Sequence, residues 1–140
     1  MDAVQQGVMT AGAGASASGA RGLRVGLDMA SIDDIRASLD EFGERFVERL
    51  FSPVEQADAA AVPALKAERL AARFAAKEAA IKAFGLSEAG VSWRELEVRC
   101  DDRGACRLRL HGKAALLAGV QDAALSLSRG RGHVIALVMG

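Results

Sequence analysis

Net charge is the first thing this sequence lacks: lysine plus arginine and aspartate plus glutamate stand at 18 each. A zero balance excludes a protein built mainly to neutralise a nucleic-acid backbone, although it leaves room for a local basic groove. No run of 18 apolar residues occurs, so no segment reads as a membrane span. Cysteine is nearly absent, with Cys100 and Cys106 as the pair present. Without a secretory context these read as reduced, small hydrophobic side chains in strands; they form neither a disulfide framework nor a zinc spacing, and a cytoplasmic location follows. Aromatics are few, with five Phe, one Trp and no Tyr, which neither supports nor opposes an oligomer. Residues 1–22 have no leucine and consist mostly of Ala, Gly and Ser, with Asp2 early. They lack the leucine-rich core of a signal peptide and the apolar surface to offset chain entropy, and are expected to be a disordered tail.

What is present is one domain's worth of patterned chain, residues 23–140. Leu23, Val25 and Leu27 alternate with Arg24, Gly26 and Asp28, the period of a half-buried strand. This reading puts Asp28 at the strand's C-terminal end, pointing away from the Leu/Val face. Ser31 with Asp34 three residues on marks a helix start. From there Ile32, Ile35, Leu39, Phe42, Phe46 and Leu50 form one stripe, predicting a single helix of roughly five turns. Both prolines open helices: Ser52-Pro53-Val54-Glu55 reads as a capping box, and Pro63 precedes a helix that stops at Gly85.

Beyond Gly85 the period changes to two. Leu96, Val98 and Cys100 alternate, Asp101-Asp102-Arg103-Gly104 turns the chain, and Cys106, Leu108 and Leu110 alternate back. A short helix from about Lys113 to Leu117 and a second hairpin, 124–128 with 133–139, complete an α+β fold: strand, helices, then antiparallel strands.

The segment from Leu70 to Phe84 is unusual for a core helix. Leu70, Phe74, Ile81 and Phe84 share a stripe about 80° wide, and Lys77 lands in its middle with Glu78 on the margin. Charges belong opposite an apolar face, and here they interrupt it. One reading has Lys77 snorkelling over apolar surface and Glu78 pairing with Lys82 one turn on, worth only about 0.2–0.5 kcal/mol. The other makes Asp28 and Glu78 two hard oxygen ligands for Mg²⁺, with diphosphate oxygens and water completing the shell. Alanines at 75, 76, 79, 80 and 83 favour close approach by a backbone or ligand.

These segments together resemble one family, the holo-[acyl-carrier-protein] synthases among the 4′-phosphopantetheinyl transferases. The resemblance is carried by Val25-Gly-Leu-Asp28, Phe42-Gly-Glu-Arg-Phe46, Arg49-Leu-Phe-Ser-Pro53, and above all Arg73-Phe-Ala-Ala-Lys-Glu-Ala-Ala-Ile-Lys-Ala-Phe-Gly85. Trp93-Arg-Glu-Leu-Glu-Val98 and Ser126-Leu-Ser128 continue it in order. It implies the phosphopantetheinyl transferase fold, a homotrimer with sites between subunits, and transfer of phosphopantetheine from coenzyme A to a serine of an acyl carrier protein. It further implies that Asp28 and Glu78 hold Mg²⁺, that Lys82, with Lys77 and Arg73, offsets phosphate charge, and that Gly85 lets the backbone approach the ligand.

Three positions depart from the family pattern. Ser31 stands where the family commonly has Glu, and reads either as the loss of a carboxylate that would bind water beside the metal or as a better N-cap. Arg129 stands where the family often has His near the nucleotide; it reads either as a bidentate phosphate ligand or as a solvated turn residue. His133 reads as an edge-strand residue instead of a replacement. Asp33 and Asp34 occupy the start of the first long helix, where family members present basic residues to an acidic carrier; Arg36, Arg45 and Arg49 come later. A specialised, less acidic carrier is the expectation. The alternative function is a silent relative that binds coenzyme A or a carrier without transfer.

Overall fold

The computed structural model describes residues 22–140. The expected tail at 1–22 lies, apart from Gly22, outside the described residues. Five strands form one antiparallel sheet in the order β1-β5-β4-β3-β2: β1 Val25–Ser31, β2 Leu96–Cys100, β3 Cys106–Leu110, β4 Asp122–Gly130 and β5 His133–Met139. The helices are α1 Ile32–Phe42, α2 Glu44–Leu50, α3 Pro53–Ala60, α4 Lys66–Phe84 and α5 Gly112–Ala118. The expected α+β order and both hairpins are present.

Local signals account for most helix ends. Ser31 Oγ accepts the Asp34 N–H at 3.2 Å, so this position serves as the N-cap of α1. Ser52 and Glu55 complete the capping box of α3, with Pro53 in its first turn. Pro63 opens a short 3-10 turn that leads into α4, and Gly85 closes α4 in the left-handed region at φ 63°.

The single five-turn helix expected over 32–50 is two helices. Gly43 sits at φ 55°, ψ −133°, a conformation that no helix contains and that a side chain disfavours, and it turns the chain between α1 and α2. The apolar stripe continues across the break, which is why periodicity alone did not reveal it.

The central packing is β1 on α4. Gly26 is the contact point: a Cβ there would lie 1.9 Å from the Ala79 carbonyl oxygen and 2.8 Å from the Ala83 nitrogen. This corrects the reading of β1. The strand continues to Ser31, so Asp28 is mid-strand, and the buried face is Gly26, Asp28 and Ala30, turned toward α4. Leu27 is exposed on the other face. His133 is likewise corrected: it begins β5, an interior strand of the sheet, and its Nδ1 lies 3.1 Å from the Arg131 carbonyl oxygen.

Cys100 and Cys106, expected as separate reduced side chains, are joined by a disulfide. Register explains it, because they are the last pair of the β2–β3 hairpin and their Cα atoms are 4.0 Å apart. Among the described residues, no helix is long and apolar enough to cross a membrane.

Candidate active site

Asp28 on β1 and Glu78 on α4 meet where strand and helix touch most closely. Gly26, two residues before Asp28 on the same face, removes the side chain that would hold the elements apart. Asp28 is buried; its Oδ1 receives Lys82 Nζ at 3.3 Å, and its Oδ2 is buried with no hydrogen-bond partner. Glu78 is half-buried beside it. Burial, then contact with the Asp28 carboxyl, raises the Glu78 pKa to about 7, and the nearby Lys82 ammonium only partly offsets this.

Two carboxylates held together with an unsatisfied buried oxygen form a donor set that a hard divalent cation completes. Oxygen ligands few in number, with space left for water and phosphate, suit Mg²⁺ in particular. Among the described residues no third acidic, histidine or cysteine ligand joins the pair. This agrees with Ser31 acting as a cap instead of a ligand. Lys82 faces the pair with its side chain only 8% exposed, one cation placed against two carboxylates. Lys82 therefore pairs with Asp28, across 54 residues of sequence.

Lys77 lies elsewhere. It is fully buried, and its ammonium donates to Glu55 Oε1 at 2.7 Å, to the Trp93 carbonyl at 3.0 Å and to the Leu96 carbonyl. Burial lowers its pKa and the Glu55 carboxylate works against that shift. An ammonium has three donors, and all are committed, so none remains for a phosphate. Neither snorkelling nor phosphate binding describes this residue; it is a buried anchor. Glu55 was read from the sequence only as the closing residue of a capping box, and that role conceals its second one.

Arg73 and Arg129 meet at a second location. Both line a cavity of about 500 Å³ with Arg69, Asp58, Glu68 and the Cys100–Cys106 disulfide. Arg73 is 5% exposed, donating to the Arg69 carbonyl at 3.1 Å and to Asp58 Oδ2 at 3.5 Å. Desolvation lowers its pKa, against the pull of Asp58. Arg129 is exposed and pairs with Glu68 Oε1 at 2.7 Å. Arg73 and Glu78 are five residues apart on α4, about 7.5 Å along the axis and about 140° around it, and they border separate cavities. Gly85 ends α4, and the space a side chain would fill there is open.

The family model of the 4′-phosphopantetheinyl transferase superfamily matches residues 24–138. The chain is 42% identical over 118 residues to the holo-[acyl-carrier-protein] synthase of Solibacter usitatus, covering 79% of this chain and 94% of that one. It is 44% identical over 119 residues to the enzyme of that name from Halorhodospira halophila, covering 82% and 94%. Among solved structures, the ACPS–CoA complex of Chronobacterium ammoniagenes is similar with a TM-score of 0.73 at 32% identity, covering 85% of this chain and 96% of that chain.

Proposed function

This chain belongs to the 4′-phosphopantetheinyl transferase superfamily, and on that premise we propose how its residues carry out the reaction of a holo-[acyl-carrier-protein] synthase. The reaction moves 4′-phosphopantetheine from coenzyme A to a serine of an apo-acyl carrier protein. A new bond forms between the serine oxygen and the β-phosphorus while the hydroxyl proton passes to a carboxylate or to water; the bond from that phosphorus to the bridging oxygen breaks, and adenosine 3′,5′-bisphosphate leaves. The observation that carries the assignment of residues is the Asp28–Glu78 pair, two carboxyls in contact, one of them buried, with a proton held up to about pH 7.

Asp28 and Glu78 would hold Mg²⁺, which when bound withdraws charge from the diphosphate and steadies the leaving group. Glu78 would have to be ionised to hold the cation, which its raised pKa makes harder below about pH 7. Lys82, already turned into the site, neutralises part of the phosphate charge without leaving Asp28. Arg73 and Arg129 would offer guanidinium donors to the nucleotide's phosphate in a cavity that Asp58, Glu68, Asp101 and Asp102 also line, Arg129 by releasing Glu68. In displacements of this kind positioning and electrostatics supply most of the acceleration. The test is release of adenosine 3′,5′-bisphosphate with coenzyme A and an apo-carrier. It should stop on chelation and resume with Mg²⁺; release indifferent to chelator would contradict the assignment.

The outer face of the sheet supports a homotrimer. Val25, Leu27 and Met29 on β1 lie in register with Met139, Leu137 and Ile135 on β5, all on the face turned away from α4. Leu27, Ile135 and Met139 are 38%, 42% and 36% exposed, a contiguous apolar surface that a single chain leaves wet. Ile135→Glu is expected to yield monomers in light scattering and to lose most activity; an unchanged mass would argue against this face as the contact.

The carrier's own chemistry follows from charge. Asp33 and Asp34 are exposed in the first turn of α1, with Arg36 paired to Asp33 at 3.0 Å. A strongly acidic carrier meets repulsion there, so the reading favours a specialised carrier that is less acidic at that contact. Asp33→Lys/Asp34→Arg should raise kcat/KM toward an acidic fatty-acid carrier about tenfold. Full-speed modification of that carrier by the unaltered protein, with no gain in the variant, would contradict this. A cytoplasmic location belongs to the same reading, and there the hairpin disulfide would be open to reduction.

A further inference from the structure

Around Glu78 the helix meets the rest of the fold largely through small residues, with Leu70 and Phe74 one turn or more before it and Phe84 at its end. Ala71, Ala75, Ala76, Ala79, Ala80 and Ala83 are all buried on it. Methyl groups permit close approach but interlock little, so they do little to stop the helix rotating or sliding along its axis. Beside Lys82 on Asp28 and Phe74 stacked on Trp93, the most directional contact comes from the residue immediately before Glu78.

Lys77 Nζ donates to Glu55 Oε1, to the Trp93 carbonyl and to the Leu96 carbonyl. These acceptors belong to α3, to the turn before β2 and to β2 itself. Glu55 is fixed in turn, since Oε1 accepts the Ser52 N–H and Oε2 accepts the Val98 N–H, each at 2.9 Å. Three fixed directions from one nitrogen set both the rotation and the height of α4. Trp93 and Leu96 also wall a cavity of about 450 Å³ that Glu78 borders, so the clamp fixes the ligand's helix and the facing wall together.

We infer that Lys77 and Glu55 form a positioning pair for the cation site, holding α4 at the rotation that sets Glu78 against Asp28. A buried ion pair is a weak device for stability, because desolvating two charges offsets most of their attraction and an uncharged replacement is often as stable. What an uncharged replacement lacks is direction. A ligand displaced by about 1 Å loses much of its effect, and residues that orient a metal ligand typically govern affinity by about 10–100-fold. The inference rests on the reading of Asp28 and Glu78 as cation ligands.

Lys77→Met alone would strand a buried carboxylate, so the test uses Lys77→Met/Glu55→Gln, in which the glutamine amide both accepts and donates. Mg²⁺ is titrated by calorimetry into protein saturated with coenzyme A, and thermal stability is measured in parallel. The double variant leaves a buried N–H and two carbonyls short of a partner and should melt lower, but at temperatures where it is folded it should bind Mg²⁺ about tenfold or more weakly, with kcat reduced and KM for coenzyme A kept. Stability and Mg²⁺ affinity restored together would reduce the pair to a structural one and overturn the inference. Should the double variant fail to fold, Lys77→Arg keeps the charge but changes the reach and geometry of the donors. It should weaken Mg²⁺ severalfold at near-normal stability, and unchanged affinity would overturn the inference equally. Glu78→Gln separates the two failures. If it leaves Mg²⁺ binding intact, the cation site itself is wrongly placed. If it abolishes binding that the double variant retains, only the positioning pair is wrong.

Discussion

Replacing Glu78 by glutamine should cut transfer by about 10³-fold while making the metal-free protein more resistant to heat near pH 8. The two effects have one cause. The Glu78 carboxyl sits against that of Asp28 and keeps its proton up to about pH 7, whereas the unfolded chain releases it near 4.5. Between those values the folded state binds the extra proton, so the stability this group confers is complete below the lower value and is lost as pH rises through the higher one. Glutamine removes the repulsion and the pH dependence together, and with them the cation's second ligand. Scanning calorimetry of the metal-free protein from pH 5 to pH 8 checks the sign: the unaltered protein should soften across that range, and the variant should not. Mg²⁺ should restore stability more at pH 8 than at pH 6, because the proton no longer competes. Glu97 acts at the opposite end. Burial would raise its carboxyl, but hydrogen bonds from Ser52, Arg99 and His111 override it and hold it at about 2, so its contribution is present above 4.5 and lost only as pH falls toward 2.

The second large effect should come from a single methyl group. Gly26→Ala places a carbon 1.9 Å from the Ala79 carbonyl oxygen and 2.8 Å from the Ala83 nitrogen, both backbone atoms that cannot swing aside. Overpacking of this kind costs about 1–3 kcal/mol, which for a domain of this size lowers the melting temperature by about 5–10 °C. Activity should fall further than stability does. The strand must lift off α4, and Asp28 and Glu78 lie on the two surfaces being parted. Assays well below the melting temperature, with folding monitored by circular dichroism, separate the losses. Normal Mg²⁺-dependent turnover in Gly26→Ala would show that strand–helix distance does not set the site.

What the sequence disclosed depended on how local the cause was. The turn at Asp101–Gly104, the Ser52–Glu55 capping box and the stop at Gly85 are each written within four residues or fewer, and each stands where expected. The break at Gly43 was hidden because Phe42 and Phe46 continue the stripe across it. The face of β1 was misread because alternation shows two faces without showing which is covered. Here alanine and glycine cover the inner face, so the leucines stay outside. Lys77 was conspicuous as a charge within an apolar stripe, but its partner Glu55 lies 22 residues away and was already accounted for as a cap. The pairing of Cys100 with Cys106 followed from the register of a hairpin that had been read correctly, while composition had argued for reduced thiols. Asp28 and Glu78 show the limit most plainly. As an acid in a strand and an acid on a helix they could be offered as a cation pair on their chemistry, but 50 residues of separation proved no contact, and resemblance gave the pairing its weight before the fold brought them together.

The most direct test of the account is the intact mass of an apo-acyl carrier protein after incubation with this protein, coenzyme A and Mg²⁺. A gain of one phosphopantetheine, absent with chelator and nearly absent with Glu78→Gln or Asp28→Asn, is the predicted result. The same gain from either variant at the unaltered rate would contradict the central claim that these two carboxylates hold the cation on which transfer depends.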